Sequence, residues 1–135
     1  ARYLQCPVII CHKSREKANV VASITAIGEV AGKNIIIVDD MVDTAGTLAK
    51  AANVLKDMGA VSVRACATHP VFSGSAYEKI ANSALEEVIV SDTIPLSNDP
   101  AKDKSKITVL TMAKMFANII RKVYNYEEIS SSFIN

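Results

Sequence analysis

A chain of 135 residues is one domain's worth of protein, long enough to enclose a substantial core. Half of its residues are hydrophobic (50%), yet no apolar run approaches the about 18 residues of a membrane-spanning helix. A net charge of +1 excludes a global electrostatic draw toward nucleic acid or a lipid surface, so any electrostatic function is local. The three cysteines, Cys6, Cys11 and Cys66, are odd in number and lack metal-ligand spacing. Reduced, buried thiols in a soluble cytoplasmic protein are therefore expected, and no signal-peptide pattern is visible.

Taken in chain order, Ala1-Arg-Tyr-Leu-Gln5 reads as the last turn of a helix entering a first core strand at Val8–Cys11. With no methionine at its start, the chain is expected to be cut from something larger. Residues 20–27 alternate and are followed by Gly28 and Gly32, which predicts a hairpin or flap. Residues 34–39 form a near-continuous apolar run of the kind a buried parallel strand needs. A helix is predicted over 45–58 with Leu48, Ala52, Leu55 and Met58 on one face and Gly59 as its C′ residue. A strand over 61–68 follows, then a helix over 73–83 with Ser73 as N-cap. A strand over 88–91, a polar loop over 98–106 and a strand over 107–110 come next. The final helix, 111–124, carries Met112, Met115, Phe116, Ile119, Ile120 and Val123 at helical spacing. Strands separated by such helices predict a three-layer α/β fold with a mainly parallel sheet.

The segment with the most chemistry is Asn34-Ile-Ile-Ile-Val-Asp-Asp-Met-Val-Asp-Thr-Ala-Gly-Thr-Leu48. It puts Asp39 and Asp40 at the carboxyl end of a strand and the loop Asp43-Thr-Ala-Gly-Thr47 at the amino end of a helix. A phosphate monoester is a dianion, and first-turn N–H groups are donors at the positive end of the helix dipole. Thr44 and Thr47 add hydroxyls, and Gly46 lets backbone approach an oxygen closely. Ionised carboxylates only accept hydrogen bonds, so Asp39 and Asp40 suit vicinal hydroxyls or a hydrated magnesium ion. The plainer alternative is that Asp43 or Thr44 merely caps the helix while Asp39 and Asp40 are solvated.

This segment resembles the phosphoribosyl-pyrophosphate motif shared by type I phosphoribosyltransferases and ribose-phosphate pyrophosphokinases. Other stretches resemble the second family alone. Ile10-Cys-His-Lys-Ser-Arg-Glu-Lys-Ala-Asn19 is similar to its flexible catalytic loop, which implies that Lys13 and Arg15 stabilise a transferring diphosphoryl group. Ala67-Thr-His-Pro-Val-Phe-Ser-Gly74 matches another family segment, with Pro70 in place of a glycine and His69 either facing a nucleotide or packed in a loop. Ser91-Asp-Thr-Ile-Pro-Leu96 and Ile129-Ser-Ser-Ser-Phe133 match as well.

The resemblance covers nearly all of the chain. It implies the carboxyl-terminal half of a pyrophosphokinase, with a type I phosphoribosyltransferase-like fold whose first strand lies outside the chain. The implied reaction moves the diphosphoryl group of ATP to ribose 5-phosphate, with Mg2+ bridging phosphates. Asp39 and Asp40 would take the ribose hydroxyls, while Asp43, Thr44, Ala45, Gly46 and Thr47 would take the 5-phosphate. Most of the ATP site would lie outside the chain, so this stretch alone is expected to be nearly inactive. Ser130, Ser132 and Phe133 would belong to an allosteric site between subunits of a homo-oligomer, although Glu128 occupies one of the family's serine positions. Two other readings are a base-transferring phosphoribosyltransferase and a non-catalytic, synthetase-associated regulatory subunit.

Overall fold

Strands Ile10–Ser14 (β1) and Ser23–Ile27 (β2) pair antiparallel as a ribbon of their own, in register from Ile10 opposite Ile27 to Ser14 opposite Ser23. The computed structural model describes residues 5–14 and 23–132, with side chains over 5–12 and 24–132. The flap read from the alternating pattern is therefore present, but its first strand is not the core strand that the sequence predicts. Val8, Ile10 and Ile27 are all exposed. The ribbon rests on the core through Ile9 and Ala26.

The core is a four-stranded parallel sheet, ordered β3-β4-β5-β6, of Asn34–Val42 (β3), Ser62–Pro70 (β4), Glu87–Ser91 (β5) and Ile107–Leu110 (β6). β-Branched residues fill these strands because they fit a pleated, packed surface. Helices Gly46–Asp57 (α1) and Ala76–Ala81 (α2) provide the first two crossovers. Strand order advances in one direction, so right-handed crossovers place both helices on the same face. Leu48, Ala52, Leu55, Tyr77 and Ile80 there meet Val63, Ala65, Val88 and Val90 from the sheet.

The α/β class and the parallel sheet agree with the sequence. Right-handed crossovers leave the other face of the sheet uncovered by α1 and α2. The consequence is visible along β3 itself: Ile35 and Ile37 pack on the core, whereas Ile36 and Val38 are 62% and 75% exposed. Residues 34–39 are thus apolar on both faces yet covered on one. Arg64 occupies the open face of β4, paired with Glu86 at 3.2 Å and Glu87 at 3.6 Å.

Local chemistry explains where the helices end. After α1, Gly59 takes φ +91°. Its N–H donates to Lys56 C=O at 2.9 Å, and the Ala60 N–H donates to Leu55 C=O at 3.1 Å, satisfying the terminal carbonyls. Met58, expected on the apolar face, is instead the exposed C-cap. α2 is shorter than predicted because Ser73 does not cap it; Ser75 is the N-cap, and Ser73 turns toward another loop. Lys106 closes the carboxyl end of α2 by donating to Ala81 C=O at 2.8 Å and Ser83 C=O at 2.9 Å. Cys6 and Cys11 are exposed rather than buried, and burial pushes the half-buried Cys66 thiol up.

The last helix, Ala113–Tyr124 (α3), has the predicted amphipathic pattern but buries no residue. Phe116, Ile120 and Val123 are 51%, 66% and 56% exposed. α3 is tied to the sheet end by Asp92, whose Oδ1 accepts the Met112 N–H at 2.8 Å. Hydrogen bonds from the Thr111 side chain and then from the Met112 N–H hold the Asp92 carboxyl below the usual carboxylate range. A lowered folded-state pKa means that this anchor is complete above the ordinary aspartate value, about 3.9. It is lost as pH falls through the lower folded-state value. In an NMR titration, Asp92 should therefore ionise below the ordinary aspartate midpoint, and Thr111→Val should move it upward. An Asp92 midpoint unaffected by Thr111→Val would contradict this.

Candidate functional site

β3 continues past Val38, so Asp39 and Asp40 lie on the strand, with Asp39 opposite Ala67 and Met41 opposite His69 of β4. Both aspartates are exposed. The Asp40 N–H donates to Asp39 Oδ1 at 3.0 Å and the Met41 N–H to Asp40 Oδ1 at 2.8 Å. Each carboxylate thus has one oxygen fixed by the following peptide, which orients it. Ion pairs among the described residues join Arg64 to Glu86 and Glu87 and Arg121 to Glu127, and none involves Asp39, Asp40 or Asp43.

Three residues separate β3 from α1. Asp43 and Thr44 are exposed, Ala45 is buried, Gly46 is half-buried and Thr47 is exposed. Ala45 is the N-cap in a left-handed conformation, φ 56° and ψ 4°, and no side-chain hydrogen bond caps the helix there. Asp43 Oδ1 accepts a hydrogen bond from Ser73 Oγ, and Asp43 C=O accepts from Ser73 N–H at 3.1 Å. Phe72 N–H donates to Val42 C=O at 3.0 Å, so the segment after β4 braces the segment after β3. A left-handed residue followed by helical ones turns successive N–H groups toward one point, an arrangement suited to anions. The strand end, loop and helix start therefore bring oriented carboxylates and the first backbone donors of α1 close together in the chain.

His69 belongs to a separate cluster at the ends of β4 and β5. Its Nδ1 lies 3.0 Å from Thr93 Oγ1, and Thr93 Oγ1 and Ser91 Oγ donate to Thr68 C=O at 3.1 and 2.6 Å. The ring is thus in contact with the Thr93 hydroxyl, itself joined to Ser91 and Thr68. Pro70, in the glycine's place, is buried at the end of β4 opposite Val42.

The remaining sequence-derived candidates are placed less completely. Lys13 lies on β1 with its backbone opposite Ile24; its side chain and all of Arg15 lie outside the described residues. Ser130 and Ser132 form a 3-10 turn, and Phe133 lies outside the described residues. Glu128 Oε1 accepts the Ser131 N–H at 3.1 Å, and Lys122 Nζ donates to Ser132 Oγ at 3.1 Å, so the tail is folded on itself. Among the described residues no group of three or more acidic, histidine or cysteine side chains could enclose a metal ion. Asp39 and Asp40 remain a pair of hard oxygen donors, which fits a magnesium ion carried largely by substrate phosphates and water.

Sequence reasoning missed Lys79 of α2, whose Nζ donates to Thr44 C=O at 3.2 Å. It also missed the Ser73–Asp43 brace. Both contacts join neighbouring strand–helix units, and no local pattern signals them. A surface groove between α1 and α2, lined by Asn53, Glu78, Lys79 and Asn82 among others, reaches Lys79 but neither Asp39 nor Asp40. The acidic pair is thus an open strip rather than part of that groove.

Residues 4–134 match the family described as the phosphoribosyl synthetase-associated domain. A ribose-phosphate pyrophosphokinase of Wolinella succinogenes is 55% identical over 138 residues, covering 99% of this chain and 43% of that protein. The corresponding Campylobacter jejuni protein is 48% identical over 134 residues, covering 99% of this chain and 42% of its own length. The crystal structure of phosphoribosylpyrophosphate synthetase from Mycobacterium smegmatis superposes with a TM-score of 0.78 at 40% identity, covering 89% of this chain and 37% of that one. The chain thus spans less than half the length of the curated relatives it matches. By the extent of that match and the shared parallel-sheet fold, the chain belongs to the phosphoribosyl synthetase-associated domain family.

Proposed function

We propose that the gene product containing this chain transfers the diphosphoryl group of ATP to ribose 5-phosphate, giving phosphoribosyl pyrophosphate and AMP. The anomeric hydroxyl oxygen bonds to the β-phosphorus, the bond from that phosphorus to the oxygen retained by AMP breaks, and the hydroxyl proton is released. The observation that carries this reading is the union of Asp39 and Asp40 at the end of β3 with the start of α1 across the 43–47 loop. Two oriented carboxylates accept hydrogen bonds from vicinal hydroxyls at one end of the sugar. Helix-start donors, Thr44 and Thr47 hold a phosphate dianion at the other. The relatives' name supports the same substrates.

In this reading Lys13 and Arg15 neutralise the transferring diphosphoryl group, and Lys13 begins this task from a two-stranded ribbon separate from the sheet. Asp39 and Asp40 would be the residues to hold Mg2+, through ribose hydroxyls or water, and the ion would supply further neutralisation of the phosphates. Most contacts to ATP come from outside this chain, and the chain by itself binds ribose 5-phosphate weakly. The exposed apolar side chains of β3 and α3 support burial against further protein in a cytoplasmic homo-oligomer. Ser130, Ser132 and Phe133 remain the candidates for an allosteric site.

The test is to offer the purified gene product ribose 5-phosphate with MgATP, and separately phosphoribosyl pyrophosphate with a set of nucleobases. AMP released in step with ribose 5-phosphate consumption is expected. Nucleotide formation from the second mixture, or no turnover in either, would overturn the proposal.

A further inference from the structure

Lys79 reaches the phosphate loop from a neighbouring strand–helix unit. It is half-buried on α2, and its Nζ donates to Thr44 C=O at 3.2 Å. The same nitrogen lies 3.9 Å from where a Cβ on Gly46 would stand. The peptide between Thr44 and Ala45 is trans, as is every peptide described. In a trans peptide the C=O and N–H point in opposite directions. Holding the Thr44 carbonyl toward Lys79 therefore aims the Ala45 N–H away from Lys79.

Ala45 has a left-handed backbone, φ 56°, which an alanine adopts only when its surroundings over-determine it. A left-handed residue ahead of helical ones is the backbone arrangement that lets successive N–H groups face one anion. The strain falls on the residue next to the carbonyl that Lys79 holds. Asp43, one residue earlier, is fixed by Ser73 through both its side chain and its carbonyl. The β4–α2 segment thus fastens two consecutive loop residues, one by hydroxyl and amide and the other by an ammonium.

We propose that Lys79 is a positioning residue for the sugar-phosphate site, keeping the Thr44–Ala45 peptide in its anion-binding orientation. The proposal rests on the phosphate-binding reading of the 43–47 loop, and goes beyond it by assigning the loop's conformation to a side chain outside the motif. Lysine suits the task because its charge also favours an anion nearby without requiring a direct contact.

Four forms of this chain test it: wild type, Lys79→Met, Lys79→Arg, and Lys79→Met combined with Ala45→Gly. Two readouts are taken on each: affinity for ribose 5-phosphate, and the backbone chemical shifts and coupling constants of residue 45 without ligand. Lys79→Met should move residue 45 away from the left-handed region and weaken binding about tenfold, the order of the left-handed penalty for alanine. Lys79→Arg should hold residue 45 and bind within about threefold of wild type. Ala45→Gly should recover most of the lost affinity without the lysine, because glycine adopts that backbone unstrained. A thermal melt of each variant separates these effects from loss of folding.

Residue 45 signals unchanged by Lys79→Met would overturn the role of Lys79, as would lost affinity that Ala45→Gly leaves unrecovered. A wild-type chain that fails to bind ribose 5-phosphate, with residue 45 still responding to Lys79→Met, would overturn the function of the loop and leave its bracing by Lys79 in place.

Discussion

Replacing Asp39 and Asp40 together by asparagine should abolish measurable binding of ribose 5-phosphate while leaving the fold intact. A hydrogen bond to a charged group is worth about 1.5–3 kcal/mol. Loss of two such bonds therefore lowers affinity by roughly a hundredfold or more. The same substitution should change stability little, about 0.5 kcal/mol or less, because both side chains are exposed. Titration calorimetry alongside a thermal melt reads both quantities. An undiminished affinity would mean that the carboxylates face solvent and nothing else, which is the plainer reading of an Asp-Asp pair at a strand end. The substitution is nearly isosteric, so a loss of binding would report on charge and acceptor capacity rather than on shape.

The second large effect concerns the scaffold. Leu55 is 1% exposed, on the face of α1 that meets the sheet, and is among the largest fully buried side chains. Leu55→Ala removes buried apolar surface and leaves a cavity, at a cost of about 2–5 kcal/mol. Against a total stability of about 5–15 kcal/mol for a typical domain, this should lower the melting temperature substantially or unfold the chain. Val38→Ala is the contrast, because Val38 is 75% exposed on the open face of β3. It should cost about 0.5 kcal/mol or less. Equal losses from the two substitutions would show that the open face is covered in solution. Denaturant unfolding of both variants decides the matter.

The difference between these two positions also marks how far the sequence could be read. Periodicity locates α1, α3 and the four core strands because apolar spacing depends on the local backbone, and Gly59 ends α1 where its left-handed φ is required. Periodicity does not say which apolar face finds a partner. Ile36, Val38, Phe116 and Ile120 have core-like spacing and remain exposed. Covering them needs strand order or protein beyond what a linear pattern encodes. The first strand was misplaced for a related reason: a short apolar run such as Val8–Cys11 fits a ribbon as readily as a buried sheet.

At the site, the motif from Asp39 to Thr47 was legible because every residue is close in sequence and the chemistry follows from strand end, loop and helix start. Ser73 misled because a serine ahead of a helix is an ordinary cap, whereas here it is drawn to Asp43, thirty positions away in the chain. Lys79 carried no signal, since a lysine on a short helix is usually a solvated charge. Their roles arise only once parallel pairing brings the ends of β3 and β4 together.

The central claim is that the strip from Asp39 to Thr47 holds a sugar phosphate. Its most direct test is an amide-resolved NMR titration of this chain with ribose 5-phosphate, using ribose and inorganic phosphate as the two partial ligands. The account predicts that ribose 5-phosphate shifts the amides of residues 39–47 together, phosphate alone those of 43–47, and ribose alone few or none. Shifts confined to the groove between α1 and α2, or no response of residues 39–47 at saturating ribose 5-phosphate, would contradict it.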